Sequence, residues 1–169
     1  DECTSGFRET FGGIHKKFNV KPDLAMFGKA LGNGYAITAV IGKENVMDAV
    51  QKTFISSTFW TERIGPTAAL KTLEIMEKYE SWEFITNLGK YIKKNWKIIA
   101  ESNQVSIKQN GIPALANFSF LSKNNLYYKT FITQEMLKEG YLAWNSIYVS
   151  TEHSEKILGP YFEKLNDLF

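Results

Sequence analysis

Two short apolar runs, "DLAMF" at 23–27 and "AITAVIG" at 36–42, flank a lysine set among glycines 28, 32 and 34. That arrangement limits the fold more than any other feature of the chain. Each run is too short for a core helix and is bounded by turn formers, Pro22 and Gly28 for the first and Gly42 for the second. Both therefore read as strands, the first as a buried one, the second helped by its β-branched residues. Lys29 then falls on the connection between them. Glu44 to Lys52 reads as a short helix. From Pro66 the period changes: Ala69, Leu70, Leu73 and Met76 recur at helical spacing, and proline suits a first helical turn. A second helix carries Trp82, Ile85, Leu88, Ile92, Trp96 and Ile99 on one continuous apolar face.

Beyond Glu101–Asn103 the texture turns to short strands, Val105 to Lys108 and Ala114 to Leu121, joined through Asn110, Gly111 and Pro113. Asn124 or Asn125 is placed to cap a helix that runs through Lys138 and stops at Gly140. Residues 141–150 read as another strand. Ser154 is placed to cap a last helix, which Pro160 should kink or restart. The chain is thus α/β first and α+β after, with expected boundaries at 1–78, a connecting helix at 79–102, and a smaller portion at 103–169.

Composition removes several function classes. With 20 basic and 18 acidic residues the net charge is +2, a balance that argues against a nucleic-acid partner. Lys90, Lys93, Lys94 and Lys97 read as a solvated helix face. The single cysteine, Cys3, excludes an intrachain disulfide and a cysteine-rich metal site. His15 and His153 stand far apart without metal-ligand spacing and read as structural. No apolar run is long enough to span a membrane. The opening residues resemble neither a signal peptide nor a start of translation, so the expectation is a piece of a longer cytoplasmic protein. Ser5, Ser56 and Ser57 lack the setting of a hydrolase nucleophile. Trp60, Trp82, Trp96 and Trp144 read as core, with Trp60 also able to border a pocket.

Lys29 admits two readings on local grounds. One is an exposed loop lysine on a non-enzymatic folded module. The other is a Schiff-base lysine, made nucleophilic by apolar walls that disfavour its charge, with glycines letting backbone approach a flat cofactor. The wider pattern bears on the choice. "DECTSGFRETFGG" at the start and "PDLAMFGKALGNGYAI" at 22–37 together resemble the "DE…GFR…GG…PDL…GK…GGG" order of class III pyridoxal-phosphate-dependent aminotransferases of fold type I. Within that family the resemblance is to the glutamate-1-semialdehyde aminomutase group, and it covers the C-terminal portion of the family's length.

The resemblance implies a partial large α/β domain followed by a small α+β domain, and pyridoxal 5′-phosphate as cofactor. It implies that Asp1 faces the pyridine nitrogen as a buried negative charge and that Lys29 forms the Schiff base and moves a proton. It implies a homodimer in which Thr58, with Ser57 beside it, meets the cofactor phosphate across subunits. Here "WTERIGP" replaces the family's short "SGNP" turn before the helix. Arg63 is a candidate clamp for a substrate carboxylate, and Trp60 a candidate pocket wall. The implied chemistry is amino-group transfer on a small amino or oxo compound, between molecules or within one, with the 169 residues alone expected to be inactive.

Overall fold

The computed structural model describes all residues, 1–169. The chain forms two compact units, 1–83 and 84–169.

In the first unit, β1 (Leu24–Phe27) and β2 (Ala39–Gly42) pair antiparallel, with Phe27 opposite Ala39 and Leu24 opposite Gly42. β1 is half-buried rather than buried: Ala25 and Phe27 point inward while Leu24 and Met26 are exposed. Two strands have only one face to hide against a helix, so the other face stays open. β2 starts three residues later than its apolar run, because β1 ends at Phe27 and offers Ala36 to Thr38 no partner. Glu44 to Lys52 splits into one α-helical turn, α1 (Glu44–Met47), and a 3₁₀ turn, Asp48–Lys52. α2 (Ile64–Tyr79) begins two residues before Pro66, whose missing N–H falls among the first-turn groups that have no intrahelical partner anyway. The core here is small: Ala25, Phe27, Leu31 and Ala69, flanked by Phe7, Ile37, Ala39 and Leu73. The Phe7 and Phe27 rings meet at 5.3 Å.

α3 (Ser81–Ser102) passes from one unit into the next. Its expected apolar stripe is real over the second unit, where Ile85, Ile92, Trp96 and Ile99 are buried. Lys90, Lys94 and Lys97 are exposed, and Lys93 Nζ donates to the carbonyls of Asn110 (3.2 Å) and Gly111 (2.9 Å). The second unit's sheet has the order β3–β4–β5, all antiparallel, from β3 (Ile107–Asn110), β4 (Leu115–Phe120) and β5 (Ser146–Tyr148). β3 lies two residues later than its sequence signal, because Val105 N–H is taken by the Ala100 carbonyl at the end of α3 (2.8 Å). β5 is a fragment of the predicted run. Tyr141 N–H folds back onto the Met136 carbonyl (2.9 Å), and Leu142 and Trp144 are exposed.

α4 (Asn125–Lys138) follows Asn124, and α5 (Glu155–Leu168) follows Ser154, but neither cap residue's side chain bonds the helix start. Gly140 ends the α4 segment at φ +84° as expected. α5 continues through Pro160 instead of breaking. Leu158, Tyr161, Phe162 and Leu165 are buried along one face, and the Lys156 carbonyl that proline cannot reach belongs to an exposed residue, where water can satisfy it. Burial lowers the pKa of His153, which accepts the Ser150 N–H at 3.0 Å through Nδ1, a neutral structural role. No helix is long and apolar enough to cross a membrane.

α3 and the turn before β4 touch at Gly89. A Cβ there would lie 2.1 Å from the Pro113 carbonyl oxygen and 3.1 Å from Ala114 N. Helix propensity favours alanine by about 1 kcal/mol, yet overlap with fixed backbone outweighs it. Gly89→Ala is expected to destabilise the second unit by about 2 kcal/mol, seen as a lower urea midpoint; an unchanged or raised midpoint would refute the contact.

Candidate active site

The site starts from an acid that sequence reading passed over. Glu2 is 7% exposed. Its carboxylate accepts the Ser5 hydroxyl (2.5 Å), the Ile14 N–H (3.1 Å), the His15 N–H (3.0 Å) and the His15 ring Nδ1–H (3.0 Å). Burial pushes its pKa up, but these four bonds outweigh that and hold the carboxyl below its ordinary value. The Glu2 N–H donates to the Met26 carbonyl at 2.8 Å, which ties the opening segment to β1. The spacing between Glu2 and His15 carried no motif, so only the folded loop shows the pairing.

Glu2 thereby fixes its neighbours. The Asp1 carboxylate accepts the Cys3 N–H at 2.8 Å, and Cys3 Sγ would lie 3.4 Å from a Cβ on Gly28. The Thr4 hydroxyl accepts a hydrogen bond from Lys29 Nζ. Asp1, Cys3 and Thr4 thus form one short segment alongside β1 and the Gly28–Lys29 turn. Lys29 is thereby tied to the edge of the unit along which the opening segment runs, through Thr4, three residues after Asp1.

Two expectations about that edge need correction. Asp1 and Lys29 are both exposed, so within this chain neither has the buried or apolar setting expected of it. Nor do Gly28 and Gly32 keep backbone clear for a ligand. A Cβ at Gly32 would meet the Tyr35 carbonyl oxygen at 2.2 Å, and one at Gly28 would meet Thr38 Cγ2 at 3.3 Å. The chain's own packing requires glycine at 32 and is tight at 28; of the three, Gly34 alone faces open space.

Lys29 itself opens a 3₁₀ turn, Lys29–Leu31, with φ +43°. A left-handed backbone is uncommon for a lysine. It is held by bonds to the Lys29 carbonyl from the N–H groups of Gly32 (3.2 Å) and Asn33 (3.0 Å).

The loop before α2 carries the remaining candidates. Ser57, Thr58, Trp60 and Arg63 are all exposed, and the Ser57 hydroxyl accepts the Phe59 N–H at 3.2 Å. Trp60 is 68% exposed and Trp144 51%, so neither is a core residue; Trp96 is fully buried, and Trp82 is half-buried against Phe11 with rings 5.4 Å apart. N–H groups at the start of α2 are occupied. The Glu62 carboxylate accepts the Gly65 N–H at 2.9 Å and also the Ile64 N–H, as an acid at a helix N-terminus should. Thr61, directly before Glu62 and also exposed, is a further hydroxyl that the sequence reading omitted. Arg63 lines a shallow cavity of about 410 Å³ with Tyr35, Thr67 and Lys71. No group of His, Cys, Asp and Glu side chains converges so as to hold a metal ion.

The family model described as aminotransferase class-III matches residues 1–144. The chain belongs to the class III aminotransferases. Among its relatives, a 3-aminobutyryl-CoA aminotransferase of Cloacimonas acidaminovorans is 38% identical over 79% of this chain and 33% of its own length. A glutamate-1-semialdehyde 2,1-aminomutase of Sulfurihydrogenibium azorense is 26% identical over 100% of this chain and 44% of its own. The fold agrees with that of solved structures. The FumI protein of Sphingopyxis sp. MTA144, solved with PLP, superposes with a TM-score of 0.91 at 22% identity, over 99% of this chain and 41% of that one. Acetylornithine aminotransferase of Elizabethkingia anophelis gives 0.84 at 20% identity, over 99% and 44%. The chain thus spans between a third and somewhat under half of the curated relatives it matches.

Pyridoxal phosphate is the cofactor that membership of this family carries, and the residues present fit it. Its aldehyde needs a primary amine not locked as a cation by a carboxylate; Lys29 Nζ bonds a neutral hydroxyl and forms no ion pair. Its pyridine nitrogen needs an acid nearby, and Asp1 lies in the same short segment as that hydroxyl. Its phosphate needs hydroxyl or N–H donors, which Ser57, Thr58 and Thr61 offer from an exposed loop.

Proposed function

We propose that this chain carries the catalytic lysine and acid of a pyridoxal-phosphate-dependent enzyme that transfers an amino group to or from a small amino or oxo compound. The observation that supports it most is the placing of Asp1 and Thr4 in one Glu2-anchored segment, with Thr4 bonded to Lys29. Pyridoxal phosphate, when bound, supplies an aldehyde and an electron-accepting ring that stabilises negative charge at the substrate Cα. Lys29 contributes the nucleophilic amine and, when freed, carries the proton at that carbon. Asp1 keeps the pyridine nitrogen protonated by its negative charge. Thr58, with Ser57, reaches the phosphate of a second copy's cofactor; their exposed position suits a homodimer contact. Arg63 takes a substrate carboxylate as a bidentate partner, with Trp60 as a wall beside it. Residues 1–78 would be the end of the large domain, 79–102 the connecting helix and 103–169 the small domain. The lone free cysteine suits a reducing, cytoplasmic setting.

The 38% relationship to an aminotransferase favours transfer between molecules over rearrangement within one. The deciding experiment treats the protein carrying this chain with pyridoxal phosphate and then borohydride, and maps the labelled peptide. One label on Lys29, absent in Lys29→Ala, is expected. Labels spread over exposed lysines such as Lys90, Lys94 and Lys97 would overturn the reading in favour of a non-enzymatic module.

A further inference from the structure

We propose that Thr4 is a positioning residue for Lys29, its hydroxyl holding the ε-amine in both protonation states. The inference rests on the reading of Lys29 as the cofactor-linking lysine. Three observations carry it. Lys29 Nζ makes its one side-chain hydrogen bond to Thr4 Oγ1. Lys29 starts from a left-handed backbone, φ +43°, at the edge where residues 1–4 run beside β1. Four bonds into Glu2 from Ser5, Ile14 and His15 fix the segment that presents Thr4. A strained backbone and an anchored loop that converge on one hydrogen bond are a costly way to hold an ordinary surface lysine.

The choice of a hydroxyl has chemical content. A carboxylate in this place would accept from the ammonium and stabilise its charge, which opposes the neutral amine that attacks an aldehyde. A hydroxyl accepts from –NH₃⁺ and, by rotating its own proton, donates to –NH₂. It therefore fixes the nitrogen's position without choosing its charge. The acids in the same segment do not intrude: Asp1 accepts from the Cys3 N–H, and Glu2 is committed to Ser5, Ile14 and His15. The neighbouring thiol, Cys3, packs at Gly28.

The test compares Thr4→Val, Thr4→Ser and Thr4→Asp with the parent, in the protein carrying this chain. It reads the rate at which pyridoxal phosphate is fixed to Lys29 by borohydride, by peptide mapping across a pH series, with thermal midpoints alongside. Thr4→Val is expected to slow labelling of Lys29 about tenfold, the size of one lost hydrogen bond, with its thermal midpoint kept. Thr4→Ser should return the rate to within about twofold, since it restores the acceptor. Thr4→Asp should move the labelling profile about one unit towards higher pH, because an opposite charge favours the ammonium; a merely structural Thr4 would leave that profile in place. Equal rates and one shared profile for all four proteins, with Lys29 still labelled, would overturn the proposal while leaving the reading of Lys29 intact. Absence of specific labelling in the parent would instead sink that reading, and this inference with it.

Discussion

Replacing Trp96 with alanine is expected to destabilise the second unit by about 4 kcal/mol. The indole is fully buried, packs edge-on against Phe118 with ring centroids 4.9 Å apart, and donates its Nε1–H to the Tyr161 hydroxyl at 2.9 Å. Truncation removes the apolar contacts, opens a cavity among residues held by a three-stranded sheet and α3, α4 and α5, and leaves the phenol without its donor. Burial, opposed in part by the Trp96 bond, raises the Tyr161 pKa, so the phenol stays neutral and the pair is an uncharged one. Tyr161→Phe separates the components. It keeps the volume but orphans the indole N–H, at about 1–2 kcal/mol. Urea unfolding followed by circular dichroism measures both; a Trp96→Ala loss no larger than that of Tyr161→Phe would mean that packing contributes little there.

Glu2→Ala carries the next largest effect, about 3 kcal/mol at neutral pH. The substitution leaves the N–H groups of Ile14 and His15 without their acceptor and releases the Ser5 and His15 side chains. The sign of its pH dependence follows from the lowered carboxyl pKa. Burial raises it, while the bonds from Ser5, Ile14 and His15 lower it further, below the ordinary 4.5. A depressed carboxylate stabilises fully above the unfolded value, and that stabilisation is lost as pH falls through the folded one. The gap between wild type and Glu2→Ala should therefore be widest above pH 4.5 and close in acid. Denaturant midpoints measured over a pH series test it; a gap that grows in acid would show that the network does not favour the charged form.

Much of this protein was legible from local pattern. Period 3.6 located α2 and α3, since a helix's apolar stripe is written into contiguous residues, and a cap and a stop residue located α4. The turn residues Asn110, Gly111 and Pro113 set off β4, where Ala116, Phe118 and Phe120 turn inward. Strand limits were less legible. β2 pairs only where β1 offers it a partner, while the expected starts of β3 and β5 are lost to backbone bonds from Val105 to Ala100 and from Tyr141 to Met136. Pro160 misled for a related reason. Four buried side chains on one face of α5 outweigh one missing hydrogen bond, and that balance is not visible in the residue itself.

At the site, the order and spacing of the Asp1 and Lys29 motifs led to the family and its cofactor. Sequence alone determined the helices, the α/β character and the chemical kinds of group at the site, because these follow from periods and residue types along the chain. Only the folded structure decided that Glu2 anchors the opening loop, that Thr4 meets Lys29, that Glu62 occupies the start of α2, and that Asp1 and Lys29 stand in the open. Those are contacts and exposures, set by which distant segments approach one another, and no local pattern encodes an approach.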